Sequence, residues 1–161
     1  MKEDSGIEIT DEIVKKKNEI YLKEIRRLGE SVFFPGFRDV IKAAKSRFKI
    51  GIVSGSTEQG IRKVLPPEMA NTFDVIVGDD GRLKSKPDSE MLLLASERLG
   101  IDPKEAAYVG DVEMDMIAAK KAGMKAIGVY QSICSRKVLQ ASGADITIRK
   151  IRDIINILDK L

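Results

Sequence analysis

Short, nearly all-apolar runs alternate along this chain with longer stretches in which apolar residues return every three or four positions. The runs at 48–53, 74–77, 106–109, 125–129 and 145–148 have the pattern of strands covered on both faces. The longer stretches at 10–28, 36–46, 57–65, 88–99, 113–122, 134–142 and 150–160 predict helices. Strand and helix alternate throughout, so the expected fold is α/β, a doubly wound, Rossmann-like parallel sheet. Gly29, Gly100, Gly123 and Gly143 fall where helices should stop, and Pro35, Pro87 and Pro103 in connections or first turns. The first thirty or so residues read as one long, charged amphipathic helix. Lys15-Lys16-Lys17 lies away from Ile13, Ile20 and Leu28 and reads as a solvated face.

Composition narrows the function classes. With 161 residues and 43% apolar content the chain has material for one core. Lys and Arg number 28 against 25 Asp and Glu, and they are scattered with few aromatics between them, which argues against a nucleic-acid surface. No stretch has the length or flanks of a signal peptide or a membrane span, and Cys134 is the single cysteine, which together point to the cytoplasm. Cys134 lacks a paired thiol or a histidine and reads as structural, and the absence of histidine excludes imidazole chemistry.

Three segments carry candidate chemistry. In an open parallel sheet ligands gather beyond the carboxyl ends of the strands, and Ser54 and Asp111 directly follow two of them. The Ser54 hydroxyl with the backbone N–H groups at Gly55 and beyond makes a cradle for phosphate oxygens. Lys86 is a compact charge able to neutralise a transferring phosphoryl group. Asp111 and Asp115, four apart at a helix start, share one helix face and suit a hard divalent cation, Asp111 as direct ligand and Asp115 through a bound water. Asp79-Asp80-Gly81 reads as a turn, Glu113 as solvent-facing and Asp88 as a first-turn or capping residue.

Ile50-Gly51-Ile52-Val53-Ser54-Gly55, Lys86-Pro87-Asp88 and Val109-Gly110-Asp111 with Asp115 occur in that order, followed by Ala122-Gly123-Met124-Lys125-Ala126-Ile127-Gly128-Val129. From about residue 10 onward the chain thus resembles the haloacid dehalogenase superfamily, in its phosphoglycolate phosphatase-like and β-phosphoglucomutase-like branch. The resemblance implies a Mg²⁺-dependent phosphohydrolase of small phosphorylated metabolites. Ser54, Gly55 and Lys86 would hold phosphate, Ser54 and Lys86 would serve catalysis, and Asp111 and Asp115 would serve the metal. It also implies that residues 1–30 are part of a helical cap and 31–161 the α/β core.

The family's first motif, an apolar strand ending in Asp-x-Asp, has no match before Ser54. Its first Asp is the family's nucleophile and its second the general acid/base. The nearest stretch, Gly6-Ile7-Glu8-Ile9-Thr10-Asp11, has one acid where two are needed, and Thr10 or Asp11 reads as a helix N-cap. The expectation is a truncated or degenerate relative, inactive alone. The alternative is a non-catalytic phosphate- or metal-binding partner subunit. A receiver-like signalling domain fits less well, because Lys86 precedes Asp111. In relatives the nucleophile strand lies between the strands that here end at Val53 and Val109. Its loss would leave two open edges prone to self-association.

Overall fold

The computed structural model describes Glu12, Ile13, Lys16, Glu19, Ile20, Lys23, Glu24, Arg27 and residues 33–161. It falls into two units, Met1–Phe33 and Phe34–Leu161. In the first, the residues described from Glu12 to Arg27 are helical, and Arg27 donates to Glu24 at 2.8 Å. The expected cap at Thr10 or Asp11 and the stop at Gly29 lie outside the described residues.

The second unit begins with α1 (Phe37–Lys45) and then runs through β1 (Gly51–Ser54), α2 (Glu58–Val64) and the single turn α3 (Pro67–Ala70). Next come β2 (Val75–Gly78), α4 (Glu90–Leu99), a 3₁₀ turn (Pro103–Glu105), β3 (Ala107–Gly110) and α5 (Glu113–Ala122). It ends with β4 (Lys125–Val129), α6 (Arg136–Ala141), β5 (Ile146–Ile148) and a 3₁₀ helix (Ile151–Lys160). The order is that of a doubly wound α/β fold, and every strand pair is parallel. Gly100 and Gly123 close α4 and α5 in the left-handed conformation, at φ 64° and 78°.

The strands form two sheets rather than the single one expected: β1 pairs with β2, and β4 lies between β3 and β5. One core serves both. Val75 and Val77 of β2 and Ala126 of β4 pack with Met91 and Leu92 of α4 and Met116 and Ala119 of α5, with Val53 and Tyr108 against them. On the other face Ile127, Val129 and Ile148 pack with Val40 of α1 and with Ile154 and Leu158. Helices thus cover both faces, which is why β2 and β4 are almost wholly buried. The strands β1 and β3 are not, since each begins on an exposed residue and continues half-buried.

Two local departures from the sequence pattern have physical causes. Strand β1 starts at Gly51 rather than 48 because a side chain opens its ladder: the Asp74 carboxylate accepts from the Ile50 N–H at 2.8 Å, and Asp74 N–H donates to the Ile50 carbonyl. The last helix is 3₁₀ because its apolar residues recur at a spacing of three, Ile151, Ile154, Ile157 and Ile155, Leu158, Leu161, which stack at three residues per turn. The turn α3 is too short for periodicity to reveal. Among the described residues no helix is long and apolar enough to cross a membrane.

Candidate functional site

Asp115 is the best-buried charged group of the described residues, at 4% exposure, and it is the third residue of α5. Its Oδ2 accepts from the backbone N–H of Asp111 at 3.2 Å and of Val112 at 3.4 Å. This is half of a capping box, since Val112 carries no side-chain acceptor. Gly110 allows it: a Cβ there would lie 2.4 Å from the Asp115 carboxylate, so only glycine lets the side chain fold back over the end of β3. The other oxygen, Oδ1, takes Lys86 Nζ at 2.6 Å.

Lys86 also donates to the Tyr108 hydroxyl at 3.0 Å, and that hydroxyl donates to the Val53 carbonyl at 3.3 Å. An unbroken chain of hydrogen bonds therefore runs from Asp115 through Lys86 and Tyr108 to the residue before Ser54. Burial opposes the charge on Lys86, but Tyr108 and Asp115 outweigh it and hold the ammonium above its ordinary pKa. Burial foremost, and then the Asp115 charge, push the Tyr108 phenol up as well, so it stays protonated at neutral pH.

Asp111 and Ser54 sit differently. The Asp111 carboxylate accepts a hydrogen bond from the Ser132 hydroxyl, and its backbone N–H is tied to Asp115. The Ser54 oxygen accepts from Ser56 N–H at 3.2 Å, closing a tight turn and leaving its own proton to donate. A Cβ at Gly55 would meet nothing within 4 Å, so the approach to that backbone is open. Lys86 and Asp115 are thus in direct contact, Asp111 is linked by its backbone, and Ser54 through the carbonyl of its neighbour.

The minor readings can be placed as well. Asp79 and Asp80 accept from Gly81 and Arg82 N–H groups and form the turn, Asp88 caps Glu90 N–H at 3.1 Å, and Glu113 is exposed. Sequence reasoning missed Tyr108 and Ser132. Tyr108 stands out only as the one hydroxyl in the run Ala106–Val109, and Ser132 carries no signal before folding brings its loop to Asp111.

As a Mg²⁺ site the arrangement is incomplete. Asp111 presents a carboxylate oxygen, whereas Asp115 is engaged by an ammonium and two N–H groups. Among the described residues no three His, Cys, Asp or Glu side chains gather as a metal cage. Mg²⁺ is commonly held by one or two carboxylates with water and substrate phosphate, so the set fits one part of such a site and not the whole.

The family profile of haloacid dehalogenase-like hydrolases matches residues 2–129, and this chain belongs to that family. The phosphoglycolate phosphatase of Escherichia coli K12 is 28% identical over 145 residues, covering 89% of this chain and 57% of the relative. The chain therefore spans little more than half the length of that relative. A solved haloacid dehalogenase-like hydrolase of Bacteroides fragilis is 30% identical, with a TM-score of 0.77 over 93% of this chain and 73% of that one. The β-phosphoglucomutase of Clostridium difficile, 21% identical over 91% of this chain and 65% of its own, has a TM-score of 0.75 and shares the fold.

Proposed function

We propose that this chain carries the Ser54, Lys86 and Asp111 portion of a Mg²⁺-assisted phosphohydrolase site for small phosphorylated metabolites, and that it needs a carboxylate nucleophile from outside its own motifs to turn over. The observation that supports this best is the hydrogen-bond chain Asp115–Lys86–Tyr108–Val53, which ties all three motif segments together. Ser54 and the open backbone at Gly55 would hold phosphate oxygens, and Lys86 would offset the charge of the group being transferred. Asp115 would fix Lys86 in place, and Asp111 would give Mg²⁺ one of its oxygens; bound there, the ion would neutralise phosphate charge. Without the nucleophile no covalent step can begin. The reading of residues 1–30 as part of a helical cap belongs to the same proposal.

The missing Asp-x-Asp also supports a second reading, a non-catalytic subunit that binds phosphate or metal. The test separates the two. The 161-residue chain and a form extended at its N-terminus by an apolar strand ending in Asp-x-Asp are assayed with Mg²⁺ on p-nitrophenyl phosphate and phosphoglycolate. The first reading expects no turnover by the chain, turnover by the extended form, and loss of it in Lys86→Ala. Silence from both forms, with phosphate still bound, favours the second. Hydrolysis by the unextended chain that vanishes in Asp111→Asn would overturn the need for an outside nucleophile.

A further inference from the structure

An open groove of about 470 Å³ runs between α1 and the segment that leads through α3 toward β2, and it shares no residue with the Ser54, Lys86, Asp111 and Asp115 site. One stripe of α1 builds its first wall. Arg38, Ile41, Lys42 and Lys45 recur at spacings of three and four and so share a helix face, while Val40 and Ala43 turn to the core. Glu68, Met69 and Thr72 form the wall opposite. Ile41 and Met69 give the groove its apolar lining, and neither belongs to the two clusters that pack the sheets.

Two ion pairs frame the groove. Arg38 reaches Glu68 on the opposite wall at 2.8 Å, and Lys45 reaches Asp74, just before β2, at 2.5 Å. Each of these cations has its own acid. Lys42 stands between them on the same face, about one helical turn from either, and among the described residues no acid pairs with it. Asp39, three residues earlier, turns to Arg152 instead at 3.6 Å, and from Val40 to Thr57 the chain has four Lys or Arg and no Asp or Glu. The hydroxyls of the groove are spent on backbone: Ser46 donates to the Ala43 carbonyl at 2.8 Å and Thr72 to the Glu68 carbonyl at 3.4 Å.

We propose that this groove binds a small amphipathic organic anion, its apolar body against Ile41 and Met69 and its one negative charge beside Lys42. Volume and charge together select that class. The groove has the size of a small-molecule site, mostly apolar with a single placed charge. One uncompensated cation matches one anionic group, whereas a polyanion would have to compete with Glu68 for Arg38 and with Asp74 for Lys45. An uncharged molecule would gain nothing from Lys42. The inference concerns residues remote in sequence from the three motifs, so it stands or falls independently of turnover and of metal at Asp111.

Methyl NMR of the intact chain, read at Ile41 and Met69, tests it with 2-naphthoate as the probe. Two comparators split the ligand: 2-naphthalenemethanol keeps the rings without the charge, and acetate keeps the charge without the rings. Naphthoate should move both methyl signals saturably, the alcohol should bind about tenfold more weakly, and acetate at the same concentration should leave the signals in place. Lys42 is exposed, so its replacements leave the fold intact. Lys42→Glu should weaken naphthoate by about tenfold, while Lys42→Arg and the equal change of net charge in Lys137→Glu, on α6, should stay within about twofold of wild type. No shift at Ile41 and Met69, equal binding of the alcohol, or equal losses in Lys42→Glu and Lys137→Glu would overturn the proposal. Methyl signals that move with protein concentration before any probe is added would assign the groove to a second copy and refute it as a small-molecule site.

Discussion

Lys86 Nζ lies 2.6 Å from Asp115 Oδ1, and the two side chains are 18% and 5% exposed, so the ion pair that joins the Lys86-Pro87-Asp88 segment to the Asp111 and Asp115 segment is shielded from water. The partners are not equivalent. Asp115 has two further N–H donors, whereas Lys86 has only the Tyr108 hydroxyl besides. Asp115→Ala should therefore cost more in urea unfolding, roughly 2–4 kcal/mol, because it strands a shielded ammonium and uncaps α5. Lys86→Met should cost less, about 1–2 kcal/mol, because it leaves a carboxylate that still accepts two backbone hydrogen bonds. Equal costs would argue against the asymmetry.

The same pair sets a response to alkali. Lys86 and Tyr108 both have raised pKa values in the folded chain, so folding favours their protonated forms. The stability they contribute is present in full below the unfolded values, about 10 for tyrosine and 10.4 for lysine, and is lost as pH rises through the folded ones. The thermal midpoint should fall above about pH 10 in the wild type and fall less steeply in Tyr108→Phe with Lys86→Met. Parallel curves would count against the coupling.

At the acid end, Asp74 and Asp145 repeat one device. Each accepts an N–H at the start of the preceding strand, from Ile50 just before β1 or from Ala126, the second residue of β4, at 2.8 Å and pairs with a lysine, Lys45 or Lys120. Those hydrogen bonds, the lysine's foremost, hold both carboxyls below their ordinary pKa. Their contribution is present above about pH 3.9 and is lost as pH falls through the lowered values. The double substitution Asp74→Asn and Asp145→Asn should flatten the acid limb of the stability curve and leave the alkaline limb unchanged.

Two glycines are required for close approach. A Cβ at Gly78 would lie 2.1 Å from the Glu58 backbone nitrogen, and one at Gly110 would lie 2.4 Å from the Asp115 side chain. Backbone yields less readily than a side chain, so Gly78→Ala should destabilise more than Gly110→Ala, both within roughly 1–3 kcal/mol. Gly110→Ala should in addition shift the Lys86 side-chain resonances by displacing their carboxylate partner. Unchanged Lys86 signals would remove Gly110 from the site's architecture.

For metal, Asp111 is the carboxylate left to offer an oxygen, and one carboxylate with water gives a weak Mg²⁺ site. Calorimetric titration should register binding only at about millimolar Mg²⁺, and Asp111→Asn should abolish it. Asp115→Asn should act mainly through folding. If Asp115→Asn alone removed binding from a chain that remained folded, the division of roles would be reversed.

Strand and helix alternation, the helix-ending glycines Gly100 and Gly123, and the candidate residues Ser54, Lys86, Asp111 and Asp115 are all readable in the chain, because each depends on local periodicity or on what stands at a strand end. So is the missing first motif, which is a statement about residue order. Tertiary structure alone decided the rest. Whether Asp115 faces a metal or a lysine depends on which side chain from Ser85–Lys86–Pro87 comes back to α5, a contact 29 residues away in sequence. Tyr108 gained its part only when Lys86 and Val53 closed around it, and Ser132 when its loop met Asp111. The division of one expected sheet into two likewise follows from pairing. A run of apolar residues says that a strand will form; only the neighbouring backbone decides which of its two edges is satisfied.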